Sequence, residues 1–261
     1  MSLLSGVLSA APRSLGIANP SHLFEQAQFN SVIQDAKNRI SEFATIFSNG
    51  NANLRRGIEA QHRLMLRGLE TNKGGPVEFN FGMHLPYKFG PYVFLLLCSE
   101  PGYSGPTAVS ARPQRKFSTI NAVLYAPLAR GQTHITTSDP LKPPAVNPAY
   151  YAHPLDVITH VKSLQVGRRV LRTAPLDSIY EGEFEPGTDR VTDSDVETWS
   201  RRVTASDNHV VGTLAMMPQS LGGVVDTKLR VYGIRNLRVV GQCPLISVLR
   251  VSNSSLLQMH P

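Results

Sequence analysis

Phe29, Ile33, Ala36, Ile40, Phe43 and Phe47 recur at steps of three and four, the spacing of one helical face. Ser21 stands before the run as an N-cap and Asn49-Gly50 closes it, so one helix is predicted between them. A second helix is predicted from about Asn53, with Leu54, Ile58, Met65 and Leu69 facing inward, ending before Gly74-Gly75. The two would form a helical hairpin. Their Phe and Met stripe reads as core rather than as a cofactor box.

The texture then changes to short β-rich runs. Val77 to Phe81 alternates, Tyr92 to Cys98 is continuously apolar, and Phe117 to Tyr125 is rich in β-formers. Gly131 to Thr137 follows the connection Pro127-Leu128-Ala129-Arg130. Short strands punctuated by Pro and Gly predict an antiparallel sheet. Pro101, Gly102, Gly105, Pro106 and Pro113 mark a long loop, and Pro140 to Pro148 reads as extended and exposed. A helix is predicted to start at Pro154, with Val157, Val161, Leu164 and Leu171 on one face. Thr192 and Asp195 have the spacing of a capping box before Val196, Trp199 and Val203. The fold class expected is therefore α+β: a helical N-terminal region with a mainly antiparallel sheet.

Composition narrows the function classes. The chain has 261 residues, 41% hydrophobic and 17% charged, which suits a folded globular protein and argues against disorder. Its longest apolar run, Tyr92 to Cys98, is far short of the about 20 residues that span a bilayer. The stretch around Leu3, Leu4, Val7 and Leu8 lacks a basic n-region, so no signal peptide is expected and the cytoplasm is favoured. Twenty-six Lys+Arg against 19 Asp+Glu give a net charge of +7, but the basic residues are scattered and no nucleic-acid motif accompanies them. Cys98 and Cys243 form neither a disulfide framework nor a zinc site, and no metal is expected. The single sequon Asn253-Ser254-Ser255 does not argue for secretion.

The chemistry concentrates after Asp207. The chain reads Asn208-His209-Val-Val-Gly212-Thr213-Leu-Ala-Met216, then Gly222-Gly223-Val-Val-Asp226, then Leu229-Arg-Val-Tyr-Gly233, then Asn236-Leu-Arg-Val-Val240. A histidine beside a Gly-Thr turn has the chemistry of a general base near neutral pH. Taken alone, such a histidine is more often structural or exposed than catalytic.

The ordered series resembles the C-terminal signature of the glucose-methanol-choline (GMC) flavin oxidoreductases. Leu128-Ala-Arg-Gly131, Ile135-Thr-Thr-Ser-Asp-Pro140, Pro144-Ala-Val-Asn-Pro148 and Tyr151-Ala-His-Pro154-Leu-Asp156 resemble that family's substrate-domain strands and following helix. The resemblance implies FAD as cofactor, a small-molecule alcohol as substrate, and His209 as the residue that takes the hydroxyl proton. Asn208, Gly212 and Thr213 match the loop that sets this histidine beside the flavin ring. The flavin carries the redox chemistry while the protein supplies position and a base.

Three departures accompany the match. No Gly-x-Gly-x-x-Gly turn occurs in the sequence, so the Rossmann FAD-binding half is expected to be lacking and tight FAD binding is not expected. After Val240 the family reads Asp-Ala-Ser, whereas this chain reads Gly241-Gln242-Cys243-Pro244. The place of a second active-site His or Asn is taken by Arg250, with Asn253 close by. The expected organisation is a helical part of the substrate domain over 1–116, its sheet and helices over 117–206, and a C-terminal segment with the catalytic-histidine loop over 207–261.

Two functional readings follow. One is an FAD-dependent alcohol oxidoreductase of fungal secondary metabolism, represented by a shortened chain. The other is a non-catalytic remnant or binding module with the substrate-domain fold. No nucleic-acid or membrane partner is expected. Self-association is expected through the face that an FAD domain would cover.

Overall fold

The computed structural model describes residues 13–71, 75–83, 118–206 and 210–241. Strand β1 (Arg13–Ala18) leads into a single helical turn, α1 (Pro20–Leu23). Helices α2 (Gln26–Asn38), α3 (Ile40–Phe47) and α4 (Ala52–Glu70) follow. After them come β2 (Val77–Met83), β3 (Ser118–Leu124), β4 (Gln132–His134) and β5 (Ala145–Asn147). The described elements close with α5 (Pro154–Leu171) and α6 (Asp193–Val203), with 3-10 turns at Leu176–Ile179 and Gln219–Leu221. None of the described helices is long and apolar enough to cross a membrane.

Ser21, expected as an N-cap, lies inside α1, and the helix expected from there to Asn49 is in fact three segments, α1, α2 and α3, the last two divided at Arg39 (φ −102°, ψ 8°). The backbone bonds from Arg39 N to Asp35 O and from Phe43 N to Arg39 O survive, so the break is a kink. Arg39 makes paired bonds to Glu42 and lies 4.6 Å over the Phe43 ring. Asn49 and Gly50 both take positive φ, which ends α3. Asn51 caps α4 by accepting from Leu54 N at 3.0 Å. The fully buried stripe of α4 is Ile58, His62, Leu66 and Leu69; Leu54 and Met65, expected inside, sit half-buried at its margins.

The larger sheet has the antiparallel order β1-β2-β3. It takes strands from both sides of residue 117. Val77 pairs with Ala18 on one side and Leu124 on the other, and Phe79 pairs with Gly16 and Ala122. Directly paired residues share a face. Accordingly Ala18, Val77, Phe79, Ala122 and Leu124 join the core together with Phe29 and Ile33 of α2, Leu66 of α4, and Leu155 and Val166 of α5. A second small core unites Tyr151, Val157, Val161 and Val196 between α5 and α6. The run Gly131 to Thr137 and the Pro-rich stretch supply one strand each, β4 and β5, of an exposed two-stranded arm. The run Tyr92 to Cys98 lies outside the described residues.

Candidate active site

Two anchors bracket the segment that carries the Asn208-His209 motif. The upstream anchor is the exit of α6. Its start is a full capping box, in which Thr192 Oγ1 accepts from Asp195 N while Asp195 Oδ2 accepts from Thr192 N. Lys162 of α5 pairs with Asp193 at 2.8 Å, and Gln165 also bonds Asp193, so this end is tied to α5. At the other end Thr204 meets the hydroxyl of Tyr151 at 2.5 Å. Tyr151 in turn bonds His160 Nδ1, and His160 Nε2 lies 3.0 Å from the carbonyl of Ala122 in β3.

The downstream anchor lies on α4. Gly212 takes φ 86° and leads into the exposed Thr213. Met216 bridges Val225, and Val225 bridges Val231, so three short runs stack around a fully buried Val225. Buried Met217 accepts at its sulfur from Gln61 of α4. Arg56 donates to Ser220 O at 3.1 Å. A Cβ on Gly57 would stand 2.0 Å from Leu221 O, and one on Gly222 would stand 2.7 Å from Leu54 Cα. Only glycine permits backbone approach this close. Asp226 closes the next loop by accepting from Lys228 N, Arg230 N and Arg230 Nε. Those bonds, led by the Arg230 side chain, hold its carboxyl down at about 2.

Between the anchors lies a buried polar cluster. Asp156 accepts from Leu128 N at 2.7 Å and Ala129 N at 2.9 Å. Burial raises its pKa to about 6 despite those two bonds and the nearby Arg130 charge. Leu128 O lies 2.8 Å from His62 Nε2, so that nitrogen carries the proton and His62 Nδ1 is a lone pair. His153 Nδ1 accepts from Leu155 N, which assigns its proton to Nε2. Neither His62 Nδ1 nor His153 Nε2 has a hydrogen-bond partner. Burial, aided by the Arg130 charge, lowers His62 to about 4. Burial, with the neighbouring His62, Arg39 and Arg130, lowers His153 to about 3. The cluster fastens the Leu128-Ala-Arg turn to α4 and α5; it is closed to solvent and is structural.

Of the site residues expected from sequence, Gly212 and Thr213 are described as above. Asn208, His209, Arg250 and Asn253 lie outside the described residues. Among the described residues no group of three or more His, Cys, Asp or Glu could hold a metal ion. Sequence reasoning missed the anchors themselves: Tyr151, His160 and Thr204 upstream, and Gly57 and Gln61 downstream. Tyr151 belonged to a quoted motif, but its partners lie 9 and 53 residues away in sequence, beyond what local spacing reveals.

A family model described as GMC oxidoreductase matches residues 127–259, just over half of the chain. The chain belongs to the GMC oxidoreductase family. This GMC chain is 39% identical over 122 residues to a GMC oxidoreductase family protein, Mala s 12, of Malassezia sympodialis, covering 47% of the chain and 20% of that relative. It is 36% identical over 118 residues to a glucose oxidase of Aspergillus carbonarius, covering 44% of the chain and 20% of that relative. The matched stretch thus spans about a fifth of the length of these curated relatives. Its fold superposes on an FAD-dependent oxidoreductase from Chaetomium thermophilum with TM-score 0.71 and 20% identity, over 90% of this chain and 34% of that one. The α+β architecture is therefore that of the GMC substrate-domain portion.

The family implies FAD, and the described residues do not fit its dinucleotide end. A pyrophosphate sits on unpaired N–H groups at a helix N-terminus that follows a glycine-rich turn. Here Asn51, His153 and Thr192 already accept first-turn N–H groups with their own side chains. Helix α2 is preceded by Glu25, whose charge repels phosphate, and α3 by Arg39 in its kink. None of the described helix starts offers the cradle.

Proposed function

We propose that this GMC chain supplies the alcohol-facing segment of a flavin-dependent oxidoreductase acting on CH–OH groups. In this reading His209 accepts the hydroxyl proton of the alcohol. Asn208, Gly212 and Thr213 would hold the ring of a bound flavin, and Arg250 or Asn253 would take the second active-site position. When bound, the flavin is the two-electron acceptor. The observation that carries the proposal is the two-ended anchoring: the segment with the Asn-His-x-x-Gly-Thr motif is tied to α5 and β3 before it and to α4 after it. A site of proton transfer needs such a rigid support. The fungal relatives support a fungal setting, with secondary metabolism as its place.

The missing pyrophosphate cradle among the described residues favours a second reading, a binding module without catalysis of its own. Val210, Ile234, Leu237 and Val240 are exposed, Val240 by 80%, and such apolar side chains support association with another chain or portion. The test joins the chain to a flavin-binding segment that carries a glycine-rich turn, and follows anaerobic bleaching of the flavin by alcohols. His209→Ala is expected to slow flavin reduction by about 10²–10⁴-fold with unchanged circular dichroism. Reduction at the parent rate would remove His209 from the mechanism. No reduction by the parent would favour the binding module.

A further inference from the structure

We propose that two copies of this chain associate through charge: the basic groove of residues 226–238 on one copy receives the acidic stretch 177–197 of the other. The proposal rests on the reading of this chain as a module that associates with another chain, and it names a second copy as that chain.

The basic half is a run folded back on itself. Leu229, Gly233 and Asn236 all take positive φ, and Arg230 bridges Arg238 as an antiparallel partner. Like charges placed opposite each other are unfavourable, so this pair calls for anions. Asp226 answers one of them, 2.7 Å from Arg230. Arg238 donates only to the carbonyl of Lys228, and among the described residues no side chain partners Arg235 or the Lys228 ammonium. Asp226, Arg230, Ile234, Arg235, Leu237 and Arg238 help to line an open groove of about 840 Å³. Within it Ile234 is 55% exposed and Leu237 46%. Three free cations therefore surround two uncovered apolar side chains.

The acidic half complements this in both respects. Eight of the 19 Asp and Glu of the chain fall within 177–197, where Arg190 is the one basic residue. Five of the eight are used internally. Glu183 pairs with Arg168, Asp193 with Lys162 and Glu197 with Arg201; Asp195 closes the capping box of α6, and Glu185 is engaged as well. The other three, Asp177, Glu181 and Asp189, are exposed and have no side-chain partner among the described residues. Beside them Ile179 is 60% exposed and Val191 73%. Among the described residues no ion pair joins the two stretches within one chain. A single exposed ion pair contributes little, so a small anion is a poor occupant of the groove; several pairs and the apolar contacts must act at once. Each copy carries both halves, and two reciprocal contacts close a two-fold dimer.

The test is sedimentation velocity of the full chain over a concentration series. The parent is expected to dimerise, with a dissociation constant that rises at least about tenfold between about 0.05 M and 0.5 M NaCl as salt screens the exposed charges. Arg235→Glu with Arg238→Glu leaves only acidic stretches; Asp177→Lys with Glu181→Lys and Asp189→Lys leaves only basic ones. Each variant alone is expected to be monomeric, with the circular dichroism of the parent. An equal mixture of the two restores opposite charge at both contacts and is expected to form a mixed dimer. Should Arg238→Glu not fold, because Arg238 also bonds the Lys228 carbonyl, Lys228→Glu with Arg235→Glu takes its place. A parent that stays monomeric, reversals that leave the dimer intact, or a mixture that stays monomeric would each overturn the proposal. Association that ignores both salt and the reversals would overturn the charged contact and leave the reading as an associating module standing, so the two fail separately.

Discussion

Gly57 and Leu221 meet backbone to backbone: a Cβ on the glycine would stand 2.0 Å from the leucine carbonyl oxygen. Gly57 lies inside α4, where glycine costs about 1 kcal/mol relative to alanine. On helix propensity alone Gly57→Ala would stabilise. The clash falls on backbone, which cannot swing aside as a side-chain tip can, and overpacking of this kind costs about 1–3 kcal/mol. Gly57→Ala is therefore expected to lower the melting temperature and to speed proteolysis within 210–241. A melting point at or above the parent's would mean that the two backbones separate freely.

Gly223 and Gly233 should respond differently to substitution. A Cβ on Gly223 would lie 1.9 Å from Met217 O, whereas one on Gly233 meets nothing within 4 Å. Gly233 does take φ 75°, so Gly233→Ala incurs the left-handed strain of about 1–2 kcal/mol. Gly223→Val must in addition displace the Met217 backbone. Melting curves should rank Gly223→Val well below Gly233→Ala, and the reverse order would contradict the packing described.

Stability should fall on acidification below about pH 6.5. His62 and His153 are held at about 4 and 3 in the fold, below the ordinary 6.5. The unfolded chain thus binds more protons through this range, and stability is lost as pH falls. Asp156, raised to about 6, works against this by taking up a proton in the fold before it would in the unfolded chain. Between about pH 6 and 4 two histidines oppose one carboxyl, leaving about one proton net, or about 1.4 kcal/mol per pH unit. Arg39, Arg130 and Glu42 are the charges that face His153. Urea melts at several pH values measure the slope; a flat profile from 6 to 4 would contradict the buried neutral pair.

Asp156→Asn should both destabilise and steepen that profile. One amide oxygen can serve Leu128 N or Ala129 N, but its NH₂ group faces the other donor, and a buried unpaired group costs about 1–3 kcal/mol. The carboxyl that offset the histidines is also gone, so the acid slope should approach about two protons. An unchanged slope with lowered stability would show that Asp156 does not titrate in this range.

The purified chain, mixed with FAD and desalted, is expected to be colourless. Charge-assisted hydrogen bonds to a pyrophosphate contribute about 1.5–3 kcal/mol each; among the described helix starts those of α4, α5 and α6 are already capped by side chains and that of α2 carries Glu25. Each 1.4 kcal/mol lost is about tenfold in affinity. A yellow eluate with near-stoichiometric flavin would require a cradle outside the described residues.

Local rules sufficed for much of this chain. The stripe from Phe29 to Phe47, the alternation at Val77, the proline at the head of α5 and the Thr192–Asp195 box were legible because each depends on neighbours a few residues apart. The motif order after Asp207 was legible in the same way, and with it the family. Tertiary structure alone decided the rest. The inward place of His62 in α4 depends on what that face meets across the core. The pairing of β1 and β2 with β3 joins segments that are distant along the chain. Thr204 finds Tyr151 because two helices pack around Val196, and Gly57 must be glycine because Leu221 arrives from 164 residues away. Such contacts form only once apolar faces have closed on one another, so no spacing in the sequence encodes them by itself.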